Sequence, residues 1–215
     1  TKKENGKYTL FWKRRKPPSR IFLEEASVTA TIMGLILCSS GSFETSVLDA
    51  ASEPHIRDIA EMLSKMGAKI KGAGTNSLQI RGNGKLKGAD QRVGPDHIEG
   101  GTFAIAASLT GGDVLIENVA FEDYDIILHY LSKMGVRFQF SGKSTLRILP
   151  SKLVSRMKRF QTRPWPGFPT DLMSPFIVLA TQTQGTVLCH DWKYEWRIFI
   201  VDDLISMGAN IFIPD

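Results

Sequence analysis

Two residue groups in this sequence have the types and spacing to handle an anionic substrate. Pro164-Trp-Pro-Gly-Phe-Pro-Thr-Asp171 sets three prolines and a glycine directly before a carboxylate. Proline fixes φ and lacks an amide donor, so this stretch is a stiff lead that cannot be helical and ends where a helix can start. Asp171 is therefore expected to be held in place. Twenty-six residues later, Tyr194-Glu-Trp-Arg197 brings a guanidinium just ahead of another helical segment. A fixed carboxylate and an arginine at matching ends of one structural unit suit a transferase. The carboxylate takes a proton, and the planar fork of the arginine holds an anion.

Polar residues also open three apolar stretches: Ser27 in Ala26-Ser-Val-Thr-Ala30, Thr102 in Glu99-Gly-Gly-Thr102, and Thr170-Asp171. Ser, Thr and Asp are preferred helix N-caps, which is the plain reading of each. Free amides at such termini also bind anions such as phosphates, and Gly100, Gly101 and Gly167 permit close backbone approach. The sequence leaves both readings open. Gly142-Lys-Ser-Thr145 imitates the end of a P-loop, but Arg137 stands where its first glycine belongs. Gly72-Ala-Gly74 imitates a dinucleotide loop but continues to Ser77. Both are expected to be hairpin turns. The histidines (55, 97, 129, 190) share no ligand spacing, so no metal site is expected. Cys38 and Cys189 form no CxxC pair, which favours a reducing, cytoplasmic setting over a disulfide scaffold.

The elements that must position these groups repeat along the chain. Leu63-Ser-Lys-Met-Gly-Ala-Lys-Ile70 returns as Leu131-Ser-Lys-Met-Gly-Val-Arg-Phe138 and as Leu204-Ile-Ser-Met-Gly-Ala-Asn-Ile211, with spacings of 68 and 73. Upstream of each lies an apolar stretch (Val28–Cys38, Phe103–Leu109, Leu172–Ala180), then a glycine and a short strand (Thr45–Leu48, Val114–Ile116, Thr186–Leu188). Each unit reads helix, strand, helix, strand, then hairpin. The first helix is apolar all round, as in a helix buried on every side, whereas Pro54–Met66 alternates at helical spacing. Gly67, Gly135 and Gly208 suit the left-handed position that ends a helix. Ser77–Arg81 and Thr145–Ile148 are half polar, so one sheet face meets solvent. Helices inside and sheets outside follow from this pattern. Tyr8–Trp12 and Ile21–Leu23 read as the tail hairpin of an earlier unit, and the third unit stops after its Met-Gly strand, as in an interior segment of a longer protein.

Composition narrows the classes further. With 42% apolar and 23% charged residues, the chain is too apolar to be disordered. Its longest nearly apolar run, Val28–Cys38, is 11 residues, well short of the roughly 20 of a membrane span. No signal peptide is expected at its start, because the first 20 residues are charged. Residues 1–20 carry eight basic side chains against Glu4, so the net charge of +5 resides in the N-terminal stretch and the rest of the chain is slightly acidic. That basic end lacks a nucleic-acid motif and reads as a solvated face, so nucleic acid is not an expected partner.

Ser27-Val-Thr-Ala-Thr31, Ser52-Glu-Pro54, Met66-Gly-Ala-Lys-Ile-Lys-Gly-Ala-Gly-Thr75, Pro95-Asp-His-Ile-Glu-Gly-Gly-Thr102, Gly167-Phe-Pro-Thr-Asp171 and Glu195-Trp-Arg197 resemble the UDP-N-acetylglucosamine 1-carboxyvinyltransferase family, in order, from about Tyr8 to Asp215. The resemblance implies an α/β, enolpyruvyl transferase-like inverse barrel. Residues 1–93 would belong to the first of two domains and 94–215 to the second, with Val93-Gly94-Pro95 as a crossing and the third repeat truncated. It implies transfer of the enolpyruvyl group of phosphoenolpyruvate to the 3′-hydroxyl of UDP-N-acetylglucosamine in peptidoglycan synthesis, with no cofactor and no membrane partner. By the same likeness, Asp171 is the proton acceptor at the sugar hydroxyl and Arg197 lies beside phosphoenolpyruvate. Ala26, Ser27, Val28 and Thr29 hold the nucleotide diphosphate, Asp96 joins the substrate-binding set, and Lys193 offers a main-chain contact. Glu25, Trp196 and His97 depart from the family pattern. The family's cysteine loop and terminal basic residues have no match, and Cys38 and Cys189 read as packing. Enolpyruvylshikimate phosphate synthase, the related alternative, fits worse at the Ser-Val-x-Ala-Thr and Pro-Asp-x-Ile-Glu segments. A non-catalytic binding module is the third alternative.

Overall fold

Alternating residues such as Ser77-Leu-Gln-Ile-Arg81 bury every second side chain, and the sheets are built on that alternation. The computed structural model describes residues 2–9, 18–191, 193–194 and 198–213. Its contacts divide the chain into two units, Thr1–Arg92 and Val93–Asp215.

In the first unit, β1 (Lys2–Glu4) and β2 (Lys7–Thr9) form an antiparallel hairpin. It turns on Asn5-Gly6, both at positive φ (49° and 76°) as a two-residue turn demands. Then follow β3 (Arg20–Phe22), α1 (Val28–Ser40), β4 (Glu44–Leu48), α2 (Pro54–Lys65), β5 (Lys69–Lys71) and β6 (Ser77–Arg81). The sheet order is β3-β4-β6-β5, with β3 parallel to β4 across the α1 crossover and the other pairs antiparallel. Val47, Leu78 and Ile80 face Leu35 and Cys38 of α1 and Ile56, Ala60 and Leu63 of α2 in one core. The expected pairing of Tyr8–Trp12 with Ile21–Leu23 is absent among the described residues, and Leu10–Trp12 lie outside them. Tyr8 pairs with Lys3, and Ile21 pairs with Val47.

The second unit runs α3 (His97–Leu109), β7 (Val114–Ile116), α4 (Asp125–Lys133), β8 (Arg137–Ser141), β9 (Thr145–Leu149), β10 (Arg159–Gln161), α5 (Met173–Thr181), β11 (Leu188–His190) and α6 (Ile200–Ser206). Its antiparallel order β7-β9-β8 repeats β4-β6-β5, and its parallel pair β10-β11 repeats β3-β4. The inverse α/β class stands, with one refinement. The hairpin directly follows the second helix, and the extra strand comes last, leading into the next first helix. β11 starts at Leu188, two residues later than expected, and Gln184 makes an isolated bridge to Val154 ahead of it. Residues 209–213 form no strand, for no hairpin partner pairs with them among the described residues.

The Met-Gly repeat has a physical cause. Gly67 and Gly135 take φ of +112° and +87°, ending α2 and α4. The chain leaving each hairpin then straps back over that turn: Lys87 N–H donates to the Met66 carbonyl, and Val154 N–H to that of Met134. A Cβ on Gly135 would lie 2.7 Å from the Lys152 carbonyl oxygen.

Burial follows expectation in two repeats. α3 buries seven residues and α5 has no exposed side chain, whereas α4 and α6 each keep an exposed face. It fails in the first. α1 packs on α2, β4 and β6, yet Met33, Ile36 and Leu37 are 52%, 47% and 45% exposed, so α1 is no more buried than α2. An all-round apolar helix needs neighbours on every side, and this face has none among the described residues.

Candidate functional site

Asp171 is held by its flanks. After β10, the chain turns through residues 164–167, closed by hydrogen bonds from Gly167 N–H to the Pro164 carbonyl (2.8 Å) and from Arg163 N–H to the Phe168 carbonyl (3.0 Å). Phe168 then drops into the core. Its ring meets Phe160 at 4.7 Å and Phe176 at 5.3 Å, and Phe160 stacks on Phe176 at 4.0 Å. Aromatic pairs of this kind add about 0.5–1.5 kcal/mol each beyond burial. Residues 170–172 form one short 3-10 turn into α5, with Leu172 and Met173 fully buried and Asp171 exposed. The stiff lead thus presents a carboxylate to solvent from a segment pinned on both sides. The N-cap positions of this turn and of α5 fall to Pro169 and Leu172, not to Thr170 or Asp171.

The Thr170 hydroxyl instead donates to Asp191 Oδ2 at 2.5 Å. Asp191 is 6% exposed, and its Oδ1 accepts from Thr162 Oγ1 at 2.8 Å and from the Lys193 and Tyr194 N–H groups at 3.1 and 3.3 Å. Sequence reasoning missed Asp191. Nothing in His190-Asp-Trp192 marks it, and its partners come from three separate segments. Asp191 therefore ties two anticipated positions, Asp171 and Lys193, to one buried group. Arg197, with Glu195 and Trp196, lies outside the described residues.

Asp96 joins the same neighbourhood. It is the true N-cap of α3, its carboxylate accepting from Ile98 N–H at 2.8 Å and Glu99 N–H at 3.3 Å. The cap therefore lies six residues before the Thr102 expected in that role, and Thr102 donates to the Ile98 carbonyl from inside the helix. Gly100 and Gly101 serve helix packing: a Cβ would lie 1.8 Å from Tyr124 Oη and 2.8 Å from Leu172 Cδ1, respectively. The first turns of α3 thus abut the Asp171 turn, and His97 meets Trp165 of the proline lead edge-on at 5.1 Å. Burial, then the charges of Asp96, Asp123 and Glu99, push the Tyr124 phenol up to about 12.

In the first unit, Ser27 caps α1, its Oγ accepting from Ala30 N–H at 3.3 Å. Its carbonyl accepts from the buried Thr31 hydroxyl at 2.7 Å, and that oxygen accepts from Ala51 N–H, locking the helix start to the β4 exit. Val28 and Thr29, as first-turn residues, have no intrahelical acceptor for their amides. Capping is thus the observed role of Ser27, with the adjacent amides left to the anion reading. Both cysteines are poor nucleophiles. Burial raises the Cys38 thiol against a smaller lowering by Thr45, and burial pushes Cys189 up to about 11. The P-loop and dinucleotide look-alikes are the β8-β9 and β5-β6 turns. No helix is long and apolar enough to cross a membrane among the described residues.

Residues 13–215 match the family model described as EPSP synthase (3-phosphoshikimate 1-carboxyvinyltransferase). The chain is similar to UDP-N-acetylglucosamine 1-carboxyvinyltransferase of Treponema denticola, with 42% identity over 203 residues, 91% of this chain and 47% of that protein. Among solved structures it is similar to the enolpyruvyl transferase NikO of Streptomyces tendae (TM-score 0.74, 20% identity, 92% of this chain and 49% of that one). It is also similar to EPSP synthase of Acinetobacter baumannii (TM-score 0.60, 26% identity, 88% and 44%). The chain spans about half the length of the curated relatives it matches.

Proposed function

The chain belongs to the EPSP synthase (3-phosphoshikimate 1-carboxyvinyltransferase) family, and from that premise we propose that it is part of a UDP-N-acetylglucosamine 1-carboxyvinyltransferase. The observation that carries the acceptor assignment is the 42% identity, across 91% of the chain, to a relative of that name, against 26% to the shikimate-acceptor structure. On this reading the 3′-oxygen of UDP-N-acetylglucosamine attacks C2 of phosphoenolpyruvate while Asp171 takes the hydroxyl proton. C3 gains a proton from a general acid. The tetrahedral adduct then loses a proton from C3, its C2–O bond to phosphate breaks, and phosphate leaves. Asp171 suits the acceptor role because it is exposed on a turn that Phe168, Leu172 and Asp191 immobilise.

Ala26–Thr29 hold the diphosphate at the start of α1, where the dipole favours negative charge. Asp96 supports the substrate from the start of α3, and Arg197 faces phosphoenolpyruvate. The Lys193 N–H is engaged by Asp191, so a main-chain contact there falls to its carbonyl. Residues 1–93 and 94–215 represent the two family domains, and the enzyme serves peptidoglycan synthesis in the cytoplasm. Phosphate release by the full-length protein tests the acceptor, using phosphoenolpyruvate with UDP-N-acetylglucosamine or with shikimate 3-phosphate. Release with the sugar nucleotide is expected. Release with shikimate 3-phosphate alone would overturn the assignment.

A further inference from the structure

Asp191 does more than close the parallel β10-β11 pair. That pair is already held by the register Arg159↔Leu188, Phe160↔Cys189 and Gln161↔His190, and by Thr162 N–H donating to the His190 carbonyl at 3.2 Å. What Asp191 adds is a link between segments. One oxygen takes the hydroxyl of the residue preceding Asp171, and the other takes the amides of Lys193 and Tyr194. All four described partners are donors, and the group is buried, so losing the Thr170 hydroxyl leaves Oδ2 without a substitute from solvent. Hydrogen bonds to a carboxylate are also the stronger kind.

We propose that Asp191 is a positioning residue for the transfer reaction, its carboxylate holding the Asp171 turn and the Lys193–Tyr194 turn in one fixed register. The inference rests on the function proposed above and deepens it. Asp191 touches no reacting atom; it acts through Thr170 on one side and through the two backbone amides on the other.

Thr170→Val removes the hydroxyl and keeps the side-chain shape, and Thr170→Ser restores the donor. In the full-length protein, Thr170→Val is expected to lower kcat by about 10- to 100-fold, the scale of a displacement near 1 Å at a reacting group. KM for phosphoenolpyruvate should stay within about threefold, since the lost bond holds the acceptor side, and Thr170→Ser should recover most of kcat. Amide exchange at Asp171 and Leu172 should quicken in Thr170→Val. A Thr170→Val enzyme with parental kcat and a lowered Tm would reduce Asp191 to a folding staple. If the parent releases phosphate with neither acceptor, the functional reading fails. The exchange measurement then decides the register lock by itself, and unchanged exchange at Asp171 and Leu172 overturns it.

Discussion

Asp171→Asn separates chemistry from folding more cleanly than any other substitution in the chain. The two side chains have the same shape, Asp171 is exposed, and the N-cap positions of its turn and of α5 fall to Pro169 and Leu172. The groups that fix the segment are untouched: Phe168 and Leu172 remain buried, and Thr170 still donates to Asp191. Stability should therefore move by no more than the roughly 0.5 kcal/mol typical of surface changes, about 1–2 °C in Tm for a chain of this size. A positioned general base contributes about 10²–10⁴-fold, equivalent to about 2.7–5.4 kcal/mol of barrier, and asparagine cannot take the proton. The assay is initial phosphate release by the full-length protein with saturating phosphoenolpyruvate and UDP-N-acetylglucosamine, with thermal unfolding as the control. A variant within threefold of the parent would remove Asp171 from the chemistry. A fall in kcat matched by collapse of Tm would mean that the carboxylate holds the turn instead of serving the reaction.

Tyr124 predicts an alkaline signature. Its folded pKa, about 12 against an ordinary 10, means that the unfolded chain ionises first. The stabilisation it gives is complete below pH 10 and is lost as pH rises from 10 to 12. Tyr124→Phe lacks this loss, so the stability difference between parent and variant should shift toward the variant by about 2–3 kcal/mol over that window. A difference that stays flat in denaturant unfolding from pH 9 to 12 would sink this account. The cysteines predict slow chemistry: with Cys189 near 11, about one thiol in three thousand is ionised at pH 7.5, and Cys38 is 1% exposed. Reaction of the native chain with a disulfide reagent should run at least 100-fold slower than in guanidinium, and a fast thiol would restore a reactive-cysteine reading.

The elements were legible wherever the sequence carries a period. The Met-Gly repeat marked the ends of α2, α4 and α6, because a helix end at positive φ selects glycine, and alternation marked β6 and β9. Order within the repeat was less legible. Arg20-Ile-Phe22 and Arg159-Phe-Gln161 are three-residue strands, too short to show a period, and only their parallel pairing defines them. Coverage was not legible at all. α1 and α5 are both apolar all round, but only α5 is covered on every side, since covering a helix depends on which elements surround it and not on its own residues.

The candidate site divides along the same physical line. Asp171 could be found because proline and glycine act locally: their restrictions on φ are visible in the neighbouring residues alone. Asp96 follows from the resemblance, whereas local cap preference points to Thr102. Gly100 and Gly101 look like the loop before a helix, whereas the close approach of Tyr124 and Leu172 draws them into α3. Asp191 had no local signal. A buried carboxylate is tolerated only where donors converge, and its donors come from Thr162, Thr170, Lys193 and Tyr194, up to 29 residues away. The sequence therefore exposes the proposed proton acceptor, because local stiffness places that carboxylate. The group that fixes its distance to Lys193 is made by tertiary convergence, and only the folded chain reveals it.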